Sequence, residues 1–174
     1  MPIHDCQHTF SKLASTVLPQ YMKQIRAVLK QPLPMTFFCR PGVGVQTLLK
    51  ELDISKDFSG CYVLAKNAKP IYVGISRSVI SRLRQHVTGK THFDASLAYK
   101  IAASKHPQKF MATLSRATAM KLPEFGVSFK NAQRYLRSLN VAFIPIVNPL
   151  ELYVYEPYCA MQLNTHQWNV FETH

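Results

Sequence analysis

Four side chains that could carry out acid–base and anion-binding chemistry fall within one short stretch of this sequence, residues 60–86. Two tyrosines, Tyr62 and Tyr72, lie ten positions apart, and Arg82 and His86 follow them. Phenol and imidazole groups can transfer protons, and a guanidinium binds anions through a planar fork of donors. Each of these residue types is usually structural on its own, since tyrosine in a strand mostly serves packing. The set has chemical meaning only if the fold brings the four side chains together.

The pattern of this stretch predicts a β-hairpin followed by a helix. Two short segments rich in β-branched and aromatic residues, CYVLA and PIYVGI, flank the polar turn sequence KNAK. Tyr62 and Tyr72 both have even residue numbers. If the numbers of residues paired across the hairpin sum to an even value, both rings therefore lie on one face of the sheet. A three- or five-residue loop would produce such a register. Ser76 or Ser78 is a candidate N-cap for a helix that starts near Val79.

The predicted helix has a buried stripe beside its polar face. Val79, Leu83 and Val87 recur every four residues, which is typical of a stripe that packs on a core. Arg82 and His86 are also four residues apart, so they project from one face of the helix. We therefore expect two phenols, a guanidinium and an imidazole to meet where the sheet joins the helix.

The same stretch resembles the signature of the GIY-YIG nuclease superfamily. GCY (60–62) stands in place of GIY, and YVG (72–74) stands in place of YIG. Arg82 and His86 follow Gly74 by eight and twelve residues, which is the spacing of the family. The resemblance covers about two-thirds of the chain, from residue 59 to the closing NVFETH. Two departures are Cys61 in place of an aliphatic residue and Ile75 where many members carry lysine or a small residue.

The resemblance implies a metal-dependent endonuclease that hydrolyses DNA phosphodiester bonds without a covalent enzyme intermediate. It implies that Glu156 binds a single divalent ion, Mg²⁺ or Mn²⁺, and that Arg82 holds and neutralises the scissile phosphate. One of Tyr62 and Tyr72 would be the general base, with its phenol pKa lowered by nearby cations. His86 would orient a tyrosine or assist proton transfer.

The carboxylate is assigned through the resemblance, which places a glutamate on a helix after the third strand. NVAFIPIV (140–147) is the candidate strand, and ELYVYEPYCAMQLNT is mostly helical by its pattern. Glu156 is the best match because Pro157 suits the first turn of a helix; Leu163 and Asn169 follow at about the expected distance. Glu151, one turn and a residue earlier, is the rival assignment.

His92 resembles a second, less regular histidine of the family. It would contact the phosphate or shuttle a proton, but a position in a surface loop is an equal alternative for this residue.

The charge of the chain favours a polyanionic partner. Its 174 residues include 21 Lys and Arg against 9 Asp and Glu, for a formal net charge of +12 at pH 7. Phosphate contacts supply most of the affinity of proteins for nucleic acid, so we expect DNA as the partner and no membrane partner. The basic residues that we assign to nucleic-acid binding are Lys66, Lys69, Arg77, Arg84, Lys130, Arg134 and Arg137.

Composition also argues against several other classes of protein. No apolar run approaches membrane-spanning length, and the start MPIHDCQHTFSKLAS lacks the order of a secretion signal. The four cysteines are scattered without a CxxC pair, which argues against a structural zinc site. A reduced cytoplasmic protein is the simplest interpretation.

The fold class expected is α/β, with a small three-stranded antiparallel sheet flanked by helices. Residues 1–55 form an N-terminal helical extension with helices in 5–30 and 46–52. Residues 56–174 form the nuclease-like domain, which contains a helix at 96–106 and a helical insertion at about 107–139 that divides at Pro123. Two other functions stay open: a catalytically inactive nucleic-acid-binding module and an RNA-directed nuclease. The sequence leaves the oligomeric state undetermined.

Overall fold

A four-stranded antiparallel sheet lies between two layers of helices in the computed structural model of this chain, which describes residues 6–171. The order of the strands is β1-β4-β2-β3. Their bounds are β1 (Leu33–Pro34), β2 (Gly60–Lys66), β3 (Lys69–Ser76) and β4 (Asn140–Pro145). The α/β class is thus confirmed. The fourth strand, β1, was not expected, because two residues that include a proline are too short to form a strand pattern.

The helices lie within the segments expected to be helical, with ends that differ by a few residues, although periodicity supported only the second half of the insertion, after Pro123. They are α1 (Phe10–Lys12), α2 (Leu18–Val28), α3 (Val45–Glu51), α4 (Val79–Thr88), α5 (Ser96–Ala103), α6 (Gln108–Ala112), α7 (Arg116–Lys121), α8 (Pro123–Arg137) and α9 (Pro149–Leu163). A π-helical segment, Leu13–Val17, joins α1 to α2, and a 3-10 helix, Met35–Cys39, follows β1. The stripe expected on α4 is confirmed, since Val79, Leu83 and Val87 are fully buried.

Strand β2 is buried on both faces because two separate apolar clusters meet across it. Cys61 and Val63 pack with residues of α2 and α9 in one layer. Tyr62 and Leu64 point the other way and pack with α4, α5 and α8. Successive side chains alternate between the faces of a strand, so a central strand covered on both sides is apolar throughout. Tyr62, one of the two candidate tyrosines, is therefore fixed in the core.

The hairpin has the expected even register, but its loop is shorter than expected. Only Asn67 and Ala68 separate the paired Lys66 and Lys69, and both loop residues have positive φ angles. The residue numbers of this pair add up to an odd value, which alone would place Tyr62 and Tyr72 on opposite faces. A β-bulge between Leu64 and Ala65 then shifts the register, so that Leu64 faces Tyr72 and Tyr62 faces Gly74. The prediction of a three- or five-residue loop was wrong, because a two-residue turn with a bulge gives the same parity.

The cap of α4 comes from a residue that local sequence did not suggest. Ser78 occupies the N-cap position, but its side chain makes no capping hydrogen bond. The Asp57 carboxylate instead accepts from the backbone N–H groups of Ile80 and Ser81, each at 2.9 Å. The Ser81 hydroxyl also donates to Asp57, at 2.7 Å. An acidic group at this end also complements the helix dipole.

Helix α9 begins earlier than the position of Pro157 suggested. The Asn148 side chain accepts from the backbone N–H groups of Leu150 and Glu151, and Pro149 opens the helix. Pro157 therefore lies inside α9, not in its first turn, and Glu156 is a mid-helix residue. The earlier start follows from Asn148 and Pro149, which together form a strong start signal.

The N-terminal extension shares the core of the sheet. Leu18, Met22 and Ile25 of α2 are buried in the cluster that includes Val63 of β2 and Ala142 of β4. The division at residue 55 stays a prediction. The predicted helix start at residue 5 and the closing residues 172–174 lie outside the described residues. No helix within residues 6–171 combines the length and apolarity needed to cross a membrane.

Candidate active site

Tyr62, Tyr72 and His86 form a contiguous cluster where the hairpin meets α4. The Tyr62 hydroxyl and His86 Nε2 share a buried hydrogen bond of 2.7 Å. The ring of Tyr72 lies 6.2 Å from that of Tyr62 and 6.3 Å from that of His86, measured between centroids. Tyr62 is only 1% exposed and His86 is fully buried. The convergence expected from strand parity and helical spacing is therefore confirmed.

The two motif glycines are required by close packing around this cluster. Gly74 lies opposite Tyr62 in the sheet, and a Cβ at residue 74 would meet the Tyr62 hydroxyl and lie 2.5 Å from Tyr62 Cζ. A Cβ at Gly60 would collide with the backbone carbonyl oxygen of Ile144 on β4. Only glycine thus allows the Tyr62 ring to lie across β3 and the strands β2 and β4 to approach as they do.

Burial sets the protonation states of this cluster. Burial and, to a smaller extent, the nearby Arg82 guanidinium lower the pKa of His86 to about 3, so the imidazole is neutral at neutral pH. Burial likewise raises the pKa of Tyr62 well above that of a free phenol. His86 Nδ1 is buried without a hydrogen-bond partner. The Tyr62–His86 pair is consequently an uncharged hydrogen-bonded unit.

Arg82 lies beside the two phenols and is anchored by the segment that leads into α5. Its guanidinium donates to the carbonyl oxygen of Asp94 at 2.8 Å and to the Ser96 hydroxyl at 2.6 Å. Its positive charge lowers the pKa of both Tyr62 and Tyr72, although burial, the larger effect, raises both. These contacts fix a cation next to the tyrosine cluster.

An open cavity of about 550 Å³ borders the cluster and contains Glu156 on its wall. Tyr72 and Ser96 line the same cavity. Burial raises the pKa of Glu156, and its carboxylate raises the pKa of Tyr72, second only to the effect of burial on that phenol. The structure thus brings the predicted carboxylate to the tyrosine that faces solvent.

The rival carboxylate, Glu151, lies elsewhere. It is 5% exposed, accepts a hydrogen bond of 2.7 Å from the Tyr21 hydroxyl and lies 3.8 Å from His8 Nε2. Burial, together with the hydrogen bond to Glu151 and the charge of that carboxylate, raises the pKa of Tyr21 to about 12. Glu151 therefore ties α9 to α2 and does not line the cavity.

Asn169 positions the segment that closes one side of the cavity. Its side-chain amide donates to the Val73 carbonyl oxygen at 2.7 Å, and its carbonyl accepts from the Val73 N–H at 2.8 Å. Because β3 is an edge strand, these bonds satisfy backbone groups that have no neighbouring strand there. Trp168 and Phe171 are thereby held at the cavity.

The basic residues assigned to nucleic-acid binding fall into two groups. Arg84 donates to the Val43 carbonyl oxygen, and Arg137 donates to the Val87 carbonyl oxygen, so these two guanidinium groups stabilise helix and loop ends. The others are exposed at the surface: Lys66, Lys69 and Arg77 on and after the hairpin, and Lys130 and Arg134 on α8. His92 packs against Phe93 and Tyr99, with ring centroids 4.0 and 6.0 Å away, and is half-buried.

Sequence reasoning missed two cations at the cavity, Lys100 and Arg116. Lys100 lies on α5 and donates to the Trp168 carbonyl oxygen at 2.9 Å. Arg116 opens α7 in the insertion, with its guanidinium 5.5 Å from the Tyr99 ring centroid. No local signal marks either residue, because their shared position depends on the packing of α5, α7 and the segment after α9.

Within residues 6–171, no group of three or more His, Cys, Asp or Glu side chains is placed to hold a metal ion. Comparisons with protein-family models, with curated proteins and with solved structures find no match to this chain.

Proposed function

We propose that this protein is a metal-dependent endonuclease of the GIY-YIG type that hydrolyses DNA phosphodiester bonds. The observation that supports this most directly is the convergence of Tyr62, Tyr72 and His86 beside Arg82, with Glu156 on the wall of the adjoining cavity. The five side chains come from two strands and two helices, so their meeting is a product of the tertiary fold. Phosphodiester hydrolysis needs an activated water, charge neutralisation at the phosphate and help for the leaving oxygen, and side chains of these types can supply all three.

Glu156 is the residue that would hold a divalent ion, Mg²⁺ or Mn²⁺. A lone half-buried carboxylate on an open cavity suits Mg²⁺, which keeps several waters and takes one or two carboxylates from the protein. Burial disfavours the ionised form of Glu156, and a bound cation would offset that cost. When bound, such an ion supplies charge stabilisation at the phosphate and the leaving oxygen.

Side chains of the protein would supply the remaining catalytic roles. Tyr72 lines the cavity and is therefore the phenol that can contact the attacking water. Tyr62 is buried behind it and acts as a positioning residue, held by its hydrogen bond to neutral His86. Arg82, fixed by Asp94 and Ser96, would neutralise the scissile phosphate.

A cleavage assay with two matched carboxylate variants tests this proposal. Supercoiled plasmid and single-stranded DNA are incubated with wild-type protein, with Glu156→Gln and with Glu151→Gln, in Mg²⁺ and in chelator. We expect cleavage by wild type only with the metal. Removing the Glu156 charge should lower the rate by about 100-fold or more, as expected for loss of transition-state charge stabilisation. Glu151→Gln should cleave at close to the wild-type rate per folded molecule.

The variants also separate chemistry from folding. Glu156→Gln should unfold at an equal or higher urea concentration than wild type, because burial already disfavours the ionised carboxylate. Glu151→Gln should lose stability, because it weakens the part-buried hydrogen bond with Tyr21. Cleavage in chelator, or full activity of Glu156→Gln, would refute the proposal. Binding without cleavage would indicate an inactive nucleic-acid-binding module, and cleavage confined to RNA would indicate an RNA-directed enzyme.

A further inference from the structure

We infer that a single nucleic-acid strand lies in a groove that follows residues 164–171 and leads into the candidate active site. This inference rests on the proposed function in taking nucleic acid as the substrate. It adds the path of the strand and the substrate class, which is nucleic acid with an unpaired segment.

Three cavities lie along residues 164–171, and each shares a lining residue with the next. The active-site cavity and a second one, of about 520 Å³, are both lined by Trp168. The second cavity and a third, of about 480 Å³, are both lined by Gln167. The third extends to Asn164 and the hairpin residues Lys66 and Lys69. We call these three cavities together the basic groove.

Charge along the basic groove matches a phosphate backbone. Cationic side chains line all three cavities: Lys66 and Lys69 in the third, Lys105 in the second, and Lys100 and Arg116 in the first. Among the described lining residues, the one carboxylate is Glu156, at the site where the reaction is proposed. A polyanionic strand is therefore favoured along the whole length of the groove.

The second cavity has groups that suit an unpaired base. Tyr135 and Trp168 supply aromatic surface, and Asn131 and Gln167 supply side-chain amides that can hydrogen-bond a base edge. Aromatic side chains interleaved with cations are the usual means of binding single strands, because every base has a stacking face. A duplex would present phosphates and groove edges to this hollow but no free stacking face, since its bases are already stacked and paired.

Binding measured in chelator tests the groove without requiring cleavage. Fluorescence anisotropy would compare fluorescent oligothymidine with a blunt duplex of the same length, over a range of KCl concentrations. The test variant is Lys66→Ala/Lys69→Ala. The control with the same change in charge is Lys23→Ala/Lys30→Ala, which alters exposed lysines that line a separate cavity beside α2.

We expect the groove variant to lose single-strand affinity and the control to keep it. Each lost phosphate contact lowers the salt slope of single-strand binding by about 0.7, so two contacts lower it by about 1.4 and weaken binding by roughly 25-fold at about 0.1 M salt. Duplex affinity should change by less than about threefold. Gln167→Glu, which places a carboxylate where two cavities meet, should also weaken single-strand binding, whereas Gln162→Glu on α9 should not.

The outcomes distinguish this inference from the proposed function. If wild type cleaves DNA but the groove variant binds oligothymidine normally, the inference that a single strand binds along the groove is wrong, and the nuclease proposal is unaffected. If wild type binds single strands through the groove but cleaves nothing, the inferred strand path is supported and the nuclease proposal is refuted. Equal losses in the groove variant and its control, or equal losses for duplex and single strand, would overturn the inference.

Discussion

Replacing Gly74 by alanine should damage the site although it alters none of the side chains assigned to the chemistry. The added Cβ would lie 2.5 Å from Tyr62 Cζ and 2.9 Å from Tyr72 Cε1. Carbon atoms in favourable contact are about 3.5–4.0 Å apart, so the Tyr62 ring must move by about 1 Å. Such a movement breaks the 2.7 Å hydrogen bond between Tyr62 and His86, since both groups are held in a packed core.

The expected cost has two parts. Overpacking a core costs about 1–3 kcal/mol, and leaving buried hydrogen-bonding groups without a partner costs about 1–3 kcal/mol more. The free energy of unfolding should therefore fall by about 2–6 kcal/mol, a large share of the roughly 5–15 kcal/mol that holds a typical domain together. Cleavage should fall as well, because Tyr72 is displaced from the cavity wall.

Urea denaturation, followed by the fluorescence of the single tryptophan, Trp168, measures this effect. Gly126→Ala is the matched control: a Cβ there meets nothing within 4 Å, and the residue lies in α8. Alanine is the better helix former, so this variant should gain about 0.5–1 kcal/mol. If Gly74→Ala unfolds within about 0.5 kcal/mol of wild type, the account of Tyr62 packed across residue 74 is wrong.

Two further predictions concern the helix that carries Arg82 and His86. Asp57→Ala should lower the free energy of unfolding by about 1–2 kcal/mol, because α4 loses its cap, and Asp57→Asn should recover much of this in the same urea assay. His86 should make stability depend on pH, since the folded imidazole stays neutral down to about pH 3, whereas the unfolded one takes up a proton below about pH 6.5. Its contribution is therefore complete above pH 6.5 and is lost as the pH falls towards 3, by up to about 1.4 kcal/mol per pH unit. Urea denaturation from pH 4 to 7 would reveal a flatter profile for His86→Gln, and parallel profiles would contradict a buried neutral histidine.

Features that depend on neighbours in sequence could be predicted from the chain alone. The period of Val79, Leu83 and Val87 placed α4 correctly, and the parity of Tyr62 and Tyr72 placed both rings on one face. Both arguments use only the repeat of a helix or a strand, so they hold whatever surrounds the element. They were enough to bring the tyrosines and His86 together, which is the core of the candidate site.

Features that depend on distant contacts could not be predicted in this way. Asp57 caps a helix that begins 22 residues later, and Asn169 bonds Val73 across 96 residues of sequence. Lys100 and Arg116 reach the cavity only because α5 and α7 pack where they do. A side chain that binds a distant backbone group produces no periodic pattern in the sequence. The residues that line the cavity could therefore be identified only from the tertiary structure.

The opposed charges around Tyr72 suggest how the proposed site would become active. Burial and the Glu156 carboxylate both raise the pKa of Tyr72, whereas Arg82 lowers it. The phenol is consequently protonated at neutral pH. A divalent cation held by Glu156 would cancel one of the two effects that oppose ionisation, and the Arg82 guanidinium would then act with less opposition. In the proposed enzyme, metal binding would thus prepare the base as well as stabilise the leaving group, so chelator should abolish cleavage rather than merely slow it.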